Sequence, residues 1–253
     1  MNCKNCHSTL SPQALFCHLC GAKKINNRLT LKSIISSFSA QFLNYDNAFL
    51  QTFITLFKKP EDVIGGYING TRKKYVNVVS YFAIAIAISG LYFFILSKFF
   101  PEVLSSIYAT GGIKPQQAEM NSRIAQFTAD YQSMLMFASV PLMALMSRLT
   151  FLKNKKYNFA EHLVLNLYTY SQVSIVSALL MLISGILISS IAPYTTSIIL
   201  VFQFLFFAYV LKRLYGLTGK QIILKSLLFI LIALVIFIPV MVIISVLLYF
   251  FGF

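Results

Sequence analysis

Hydrophobic and polar positions are distributed along this chain in long blocks rather than in short alternations. The longest block, residues 163–211, runs for 49 residues without a charged side chain, between Glu161-His162 on one side and Lys212-Arg213 on the other. A helix that crosses a membrane needs about 20 apolar residues. The block therefore predicts two spanning helices that run in opposite directions, separated by a break at residues 192–196.

The same criterion applied to the whole chain predicts an all-α membrane domain of five spanning helices over residues 75–253. Its composition supports this class, because 58% of the residues are apolar, 24 are Phe and the mean hydropathy is +0.75. Such values lie outside the usual range of water-soluble domains. The expected spans cover about residues 75–97, 131–151, 163–191, 195–211 and 222–251.

The distribution of basic residues predicts an orientation for these spans. Of the 21 Lys and Arg residues, 18 lie in the amino-terminal region, in the segments that follow the second and fourth spans, or in the span ends next to those segments. Cytoplasmic flanks of spanning helices are enriched in Lys and Arg. We therefore expect a multi-pass protein of the cytoplasmic (inner) membrane, with its amino terminus in the cytoplasm and its carboxyl terminus outside. This bias also accounts for the net charge of +14 without a nucleic-acid partner.

The amino-terminal segment, residues 1–24, contains all four cysteines of the chain, in two Cys-x-x-Cys pairs formed by Cys3, Cys6, Cys17 and Cys20. Two such pairs complete a tetrahedral thiolate site with no open position, so the spacing predicts a zinc ribbon with a structural Zn²⁺ ion. Two redox dithiols or two disulfides are the alternatives. A zinc site agrees with a cytoplasmic amino terminus, because thiols stay reduced there. We expect the neighbouring His7 and His18 to be solvated rather than to bind the metal.

The segment at residues 25–74 has helical apolar periodicity but is too polar to span a membrane. One apolar stripe covers residues 31–42 and a second covers residues 48–57, and Pro60 ends the pattern. These helices either lie in the headgroup plane or pack in the cytosol against the spanning bundle. A basic and aromatic collar, formed by Arg72, Lys73, Lys74 and Tyr75, directly precedes the first span and is expected to hold it at the membrane interface.

The order of these motifs resembles a known family. Two Cys-x-x-Cys pairs are followed by Leu56-x3-Pro60, then by Tyr67-Ile68-x-Gly70-x-Arg72-x2-Tyr75, and later by Glu161-His162-Leu163-Val164. In this order the chain resembles the bacterial membrane-protein family known as domain of unknown function 3667, over most of its length. The five-span plan is also similar in architecture to the Yip1 group of membrane proteins. Neither resemblance implies a settled activity.

The third span is the richest in polar side chains. Glu161, His162, Asn166, Tyr168, Thr169 and Gln172 fall within about half of its circumference. Polar groups at membrane depth must pair with one another or face water, so this face predicts either a cavity open to the cytoplasm or a satisfied packing network. We expect Glu161 and His162 to act as a pair, and the deeper Gln203 of the fourth span to bond across to the third.

Small residues form a separate stripe on the third span and a matching stripe on the first. Ser174, Ala178 and Gly185 belong to the former, and the latter comprises Ser80, Ala83, Ala87 and Gly90. Stripes of this kind allow spanning helices to approach closely, so both stripes are suited to close helix packing.

The chain carries no signature of a known catalytic mechanism. His162 is its single histidine outside the cysteine-rich segment, and the predicted spans contain no Asp. Two functions therefore remain. The first is transport or handling of a lipid or small solute in a polar cavity, and the second is a membrane-anchored adaptor whose zinc ribbon recruits a cytoplasmic protein. Membrane lipids are expected partners in both, an oligomer is compatible with both, and an enzymatic activity is not favoured.

Overall fold

The computed structural model describes residues 2–22, 24, 30–32, 48–101, 103, 131–187 and 192–251. The chain divides into two compact units, Met1–Asn47 and Ala48–Phe253, and each is treated separately below. Most of the apolar stripe predicted over residues 31–42 lies outside the described residues, as does most of the segment between the first and second spans.

The described residues of the second unit form helices and the turns that connect them, with no strand among them. Five of its helices are long and apolar enough to cross a membrane, which confirms the predicted all-α fold with five spans. Two short helices, α1 and α2, precede the spanning helices α3 to α7. The elements are α1 (Ala48–Lys58), a π-helical turn (Glu61–Gly65), α2 (Gly66–Ile68), α3 (Val78–Phe99), α4 (Gln132–Thr150), α5 (Phe159–Leu187), α6 (Ala192–Tyr215) and α7 (Gly219–Phe251).

Two helix boundaries differ from the sequence-based expectation, and the first has a local cause. Helix α5 begins one turn early, because the Asn158 amide donates to the Glu161 carboxylate at 2.7 Å and the Glu161 amide donates to the Asn158 side chain at 2.9 Å. This reciprocal capping satisfies donors that a helix start leaves free. The break predicted at residues 192–196 is already part of α6. The connection between α5 and α6 falls at residues 188–191, outside the described residues.

Helix α5 is the axis of the bundle. It packs against α3, α4 and α6, whereas α7 packs mainly against α4 and α6. Of the residues in the most apolar stretch of α5, 44% are buried, whereas none are buried in that of α7. Helix α7 is therefore the most peripheral of the spans. Helices α3 and α5 run parallel, because the Tyr81 side chain bonds Gln172 near one end and Leu96 approaches Gly185 near the other.

Helix α1 is embedded in the spanning bundle rather than separate from it. The backbone carbonyl of Phe53 accepts a hydrogen bond from Gln172 Nε2 at 3.1 Å, and the ring of Phe49 lies 5.7 Å from that of Tyr81. The Lys58 carbonyl accepts from the Tyr209 hydroxyl at 3.0 Å. Of the two alternatives for this stripe, packing against the bundle is the one observed for α1. The structure accordingly groups residues 48–74 with the spans, whereas the sequence suggested a separate segment over residues 25–74.

One end of the bundle gathers the basic segments that follow the even-numbered spans and the collar that precedes the first. The Tyr168 hydroxyl donates to the Val76 carbonyl at 2.7 Å, and the Lys156 ammonium donates to the Leu214 carbonyl. These contacts bring residues 58–77, 151–158 and 212–220 to the same end, hereafter the basic end.

The small-residue stripe of the first span forms no buried contact among the described residues. Its Ser80, Ala83, Ala87 and Gly90 are all exposed, whereas Ala85 and Ser89 are the small residues that the span buries. Stripe periodicity does not reveal which face of a helix meets its neighbour, and here Tyr81 and Phe82 set the contact face of α3. On α5 the expectation holds at Gly185, where an added Cβ would lie 3.2 Å from a methyl carbon of Val103.

A matched pair of glycine substitutions tests this packing. Gly185→Leu should lower the stability of the purified protein by about 1–3 kcal/mol, because a larger side chain must displace Leu96 and Val103. Gly90→Leu should leave stability unchanged or slightly higher, because nothing lies within 4 Å of the point that a Cβ would occupy there. Thermal unfolding in detergent micelles measures both, and equal effects of the two substitutions would contradict the observed contact face.

Candidate functional site

The four cysteines of the first unit form a compact cluster. Their sulfur atoms all lie within 4.8 Å of one another, with Cys3 Sγ 3.6 Å from Cys20 Sγ and Cys6 Sγ 3.6 Å from Cys17 Sγ. A tetrahedron of thiolates about 2.3 Å from a metal ion has edges of about 3.8 Å. All four are free thiols, so the predicted alternative of two disulfides is not observed. The cluster could therefore bind one metal ion.

The two Cys-x-x-Cys pairs lie on two backbone turns with the same hydrogen-bond pattern. The amide of Cys3 donates to the Ser8 carbonyl and that of Cys17 donates to the Ala22 carbonyl, both at 2.8 Å. The amides of His7 and Gly21 donate back to the first cysteine of each pair at 2.9 Å. His7 and Gly21 both have positive φ, 58° and 70°, which glycine adopts without strain. The two turns are thus structurally equivalent halves of one site.

Ser8 is a polar contributor to the cluster that the sequence analysis did not identify. Its hydroxyl oxygen lies 3.1 Å from Cys6 Sγ and 3.2 Å from Cys17 Sγ. The Ser8 hydrogen bond, followed by that from the Cys20 amide, lowers the pKa of Cys17 from 9.0 to about 5. The thiolate is the form that binds metals, so this arrangement favours the binding state at neutral pH.

Removal of the metal should unfold the first unit without affecting the spans. Its core consists of Leu10 and the cysteines, which is too little apolar surface to hold a fold. We expect the amide protection of residues 2–22 to disappear on chelation and that of α3 to α6 to remain, as measured by hydrogen exchange with mass spectrometry. Cys17→Ser should have the same effect without chelator. Retained protection in metal-free protein would contradict a structural role for the metal.

In the second unit, His162 is the centre of a closed polar network. Its Nδ1 lies 2.8 Å from the Ser147 hydroxyl and its Nε2 lies 2.9 Å from the Tyr215 hydroxyl. The Asn166 amide nitrogen donates to the Ser147 hydroxyl at 3.0 Å and to the His162 carbonyl at 2.7 Å. His162 is fully buried, and both of its ring nitrogens are occupied. The network joins α4, α5 and α6 and leaves no imidazole nitrogen available for chemistry.

Glu161 does not take part in this network. Its carboxylate accepts from the backbone amide of Asn158 and caps α5, so the expected pairing with His162 is not among the contacts of the described residues. The contiguous pair therefore has two structural roles: Glu161 starts the helix and His162 ties it to its neighbours.

Two further residues of the polar face are also closed off by protein. The Gln172 side chain accepts a hydrogen bond from the Tyr81 hydroxyl and donates to the Phe53 carbonyl. The Tyr168 hydroxyl donates a hydrogen bond to the Val76 carbonyl. Both side chains are fully buried. The contacts of His162, Tyr168 and Gln172 are those of the packing network, and none of the three lines the two cavities described below.

Asn166, Thr169 and Gln203 line two adjoining cavities between the spanning helices, both partly open to the outside of the bundle. A cavity of about 230 Å³ lies between α4, α5, α6 and α7, and one of about 510 Å³ lies between α3, α4, α5 and α6. Asn166 and Thr169 line the smaller cavity, and Tyr170, Val173 and Gln203 line both. The smaller cavity is otherwise apolar, with walls formed by Met143, Leu200, Phe204, Phe207 and Phe229.

Gln203 differs from the other polar residues of the spans. It lies in the middle of α6, and its carboxamide makes no hydrogen bond within the described part of the chain, so the predicted bond to the third span is not formed there. Asn166 uses its amide nitrogen in the His162 network, but its carbonyl oxygen has no partner among the described residues. The Thr169 hydroxyl donates to the Leu165 carbonyl at 2.8 Å.

Tyr170 is the cavity residue that the sequence analysis missed. It lies four positions after Asn166, one helical turn along the same face, and that spacing could have identified it. Within the described residues its hydroxyl makes no hydrogen bond, so it presents a second uncommitted polar group to both cavities.

The cations of the collar bind aromatic rings of the same segment. The Arg72 guanidinium lies 4.1 Å from the centre of the Tyr67 ring, which packs edge-on against Tyr168 at 5.8 Å. The Lys74 ammonium lies 5.1 Å from the Tyr75 ring, and Tyr75 is buried, whereas Lys73 is exposed. The collar is thus attached to the basic end of α5 and does not reach the cavities described above.

An ion pair fixes the π-helical turn to α6. The Arg213 guanidinium donates two hydrogen bonds to the Glu61 carboxylate, and their side chains are 41% and 32% exposed. The Arg213 hydrogen bonds hold the pKa of Glu61 below its ordinary value of 4.5. Because the pKa is depressed in the folded state, the pair contributes stability above about pH 4.5 and loses it as the pH falls through the lower folded-state pKa.

Glu61→Gln should therefore lower the free energy of unfolding at pH 7 by at most about 1 kcal/mol, because exposed pairs are strongly screened by water. The difference from the parent protein should shrink as the pH falls below about 4.5 and through the lower folded-state pKa of Glu61, and it should also shrink in high salt. Melting temperatures of the two proteins at pH 7 and pH 4, and at low and high salt, measure these two effects. A difference of equal size at the two pH values would show that charge is not responsible.

Comparison with known proteins gives one match. The model of a family described as "Protein of unknown function (DUF3667)" matches residues 46–90, which contain α1, the collar and the first half of α3. This confirms the resemblance over a minority of the chain, the part that packs on the basic end of α5. No curated protein and no solved structure matches the chain significantly.

Proposed function

We propose that this multi-pass membrane protein binds a lipid or another small amphipathic molecule in the two adjoining cavities, with Gln203 as its central polar contact. The observation that carries the proposal is the uncommitted carboxamide of Gln203 in the middle of a spanning helix. An unsatisfied polar group at that depth is costly, and it is retained where it serves a ligand or a pathway.

The size and lining of the cavities support an amphipathic ligand. Sites for small molecules measure about 300–1,000 Å³ and combine apolar walls with a few polar groups, and the larger cavity of about 510 Å³ falls in this range. Gln203 and Tyr170 supply uncommitted donors and acceptors to both cavities, and Asn166 supplies an acceptor to the smaller one. Aliphatic and aromatic side chains form the rest of the smaller cavity and suit a hydrocarbon tail.

The outer wall of the smaller cavity suggests how such a ligand would enter. Leu200 and Phe204 line this cavity, yet they are 69% and 38% exposed on the outside of the bundle. The wall is completed by Phe229 of α7, the most peripheral span. A ligand dissolved in the bilayer could therefore reach the cavity sideways, between α6 and α7.

A cation near the basic end favours a ligand with an anionic headgroup. Lys225 lies one helical turn before Phe229 on α7, and its ammonium donates to the Thr150 carbonyl at 2.7 Å. It also lies 4.9 Å from the centre of the Phe151 ring. Lys225 is the cation that a headgroup would meet one turn from the apolar wall.

We further propose that the cysteine cluster holds Zn²⁺ and that the basic end faces the cytoplasm. Four thiolates with tetrahedral spacing are the donor set that zinc prefers in structural sites. The Lys and Arg residues gathered at the basic end are those that predict a cytoplasmic location. Both proposals place the protein in the cytoplasmic membrane with reduced thiols inside the cell.

Two glutamine substitutions separate ligand binding from packing. Gln203→Leu should abolish lipid retention at unchanged membrane abundance, because it removes a polar group that has no protein partner in the described residues. Gln172→Leu should instead lower stability by about 1–3 kcal/mol, because it leaves Tyr81 and the Phe53 carbonyl unsatisfied. Native mass spectrometry of protein purified in mild detergent, with phosphatidylglycerol or phosphatidylethanolamine added, measures retained lipid alongside abundance.

Val173→Phe provides an independent test, since it fills the space between the two cavities without removing a polar group. It should reduce lipid retention in the same way as Gln203→Leu. If both variants retain as much lipid as the parent protein at equal abundance, the bound lipid lies elsewhere and the proposed function is wrong.

A further inference from the structure

A separate cleft lies at the basic end of the second unit. It has a volume of about 600 Å³ and is bounded by the π-helical turn, α2, the collar, the connection between α4 and α5, and the end of α6. It shares no lining residue with the two cavities between the spans. Five charged side chains line it, namely Glu61, Asp62, Lys74, Lys156 and Arg213. Such a lining suits a charged ligand rather than a hydrocarbon tail.

The charges of the cleft do not all cancel within the protein. Glu61 and Arg213 form the ion pair described above and neutralise each other. Asp62 forms no ion pair with the described residues. Lys156 donates one hydrogen bond to a backbone carbonyl, and Lys74 donates none within the described part of the chain. Because an ammonium group has three donors, the cleft offers a ligand two cations and one carboxylate.

The π-helical turn keeps one side of the cleft open. Gly65 ends this turn and lines the cleft, with an ordinary helical φ of −64° and ψ of −41°. Nothing lies within 4 Å of the point that a Cβ would occupy there, so neither backbone conformation nor packing requires a glycine. A glycine in a helix also lowers its stability. What the missing side chain provides is open space, in a type of turn that is rare and frequent at functional sites.

The turn that ends α2 adds two neutral polar side chains to the lining, those of Asn69 and Thr71. The Thr71 amide donates to the Gly66 carbonyl at 2.8 Å, and Gly70 has a φ of 97°, which is the Schellman arrangement that closes helices. Neither side chain forms a hydrogen bond with the described residues, so both are available to a ligand. This turn and the π-helical turn lie within residues 46–90, so the segment that matches the family model supplies most of the lining.

From these observations we propose that the cleft binds a ligand in which a phosphate group and an ammonium group lie close together, as in phosphoethanolamine. Lys74 and Lys156 bind the phosphate as point charges, and Asn69 and Thr71 donate further hydrogen bonds. Asp62 binds the ammonium group and repels a phosphate that carries none. The ligand is either a free compound or the headgroup of a lipid. This site is independent of the ligand proposed for the cavities between the spans.

Binding is measured by isothermal titration of the full-length protein, delipidated in dodecyl maltoside, a detergent without phosphate. The parent protein should bind O-phosphoethanolamine at least about fivefold more tightly than inorganic phosphate, because only the former pairs with Asp62. Asp62→Asn should abolish this preference, so that the two compounds bind alike. A structural role of Asp62 would not change the ratio of two affinities measured on the same protein.

Two further variants separate the cleft from the general positive charge of the basic end. Lys74→Gln should weaken binding of both compounds by about five- to tenfold. Lys153→Gln is its matched control, because Lys153 is exposed at the same end and does not line the cleft, and it should bind as the parent does. Gly65→Leu should abolish binding with every charge intact, because its side chain fills the open space. Melting temperatures close to that of the parent show that each variant is folded.

Nanodiscs distinguish the two sources of the ligand. If phosphatidylethanolamine in phosphatidylcholine nanodiscs abolishes binding of the soluble compound, the lipid headgroup occupies the cleft, and if binding is unchanged, the ligand is the free compound. The proposal is wrong if the parent protein in detergent shows no saturable binding of O-phosphoethanolamine. It is also wrong if folded Asp62→Asn keeps the preference of the parent, or if Lys153→Gln weakens binding as much as Lys74→Gln.

Discussion

Hydrogen bonding along the polar face of α5 is the constraint on which the rest of the second unit depends. A helix that carries His162, Asn166, Tyr168 and Gln172 into a membrane must find a partner for each of them. The partners come from every neighbouring element: α3, α4 and α6 contribute hydroxyl groups, and α1 and the segment before α3 contribute backbone carbonyls. The position of α1 follows, because Gln172 reaches the Phe53 carbonyl only if α1 lies within the bundle.

This requirement divides the polar face into two parts with different consequences. One part is saturated by protein and holds five elements together, so substitutions there should affect folding. The other part turns towards the cavities, where Asn166, Tyr170 and Gln203 keep groups uncommitted among the described residues. Two glutamines of the same chain thus have opposite roles: Gln172 is a structural residue, and Gln203 is the residue on which ligand binding is proposed to depend.

The architecture could be predicted from the sequence because its determinants are local. Charge-free runs identify the five spans, and the spacing of Cys3, Cys6, Cys17 and Cys20 identifies the metal cluster. The roles of individual polar residues could not be predicted in the same way. They depend on which residues the neighbouring helices place opposite each polar side chain. Glu161 was expected beside His162 and instead caps α5, and the exposed stripe of α3 has the periodicity of a contact face without being one. Ser8 was missed because a lone hydroxyl has no signature until its surroundings are known, whereas the spacing of Tyr170 from Asn166 could have identified it.

The ligand site proposed for the spanning bundle is open at Gln203, whereas Gln172 is closed off by protein. The most direct measurement is an electron cryomicroscopy map of the full-length protein in nanodiscs made from its native membrane lipids. If the proposed ligand is present, elongated density lies in the cavities within hydrogen-bonding distance of the Gln203 carboxamide. No such density lies beside Gln172. Empty cavities, with the Gln203 side chain hydrogen-bonded to α5, would contradict the proposed site.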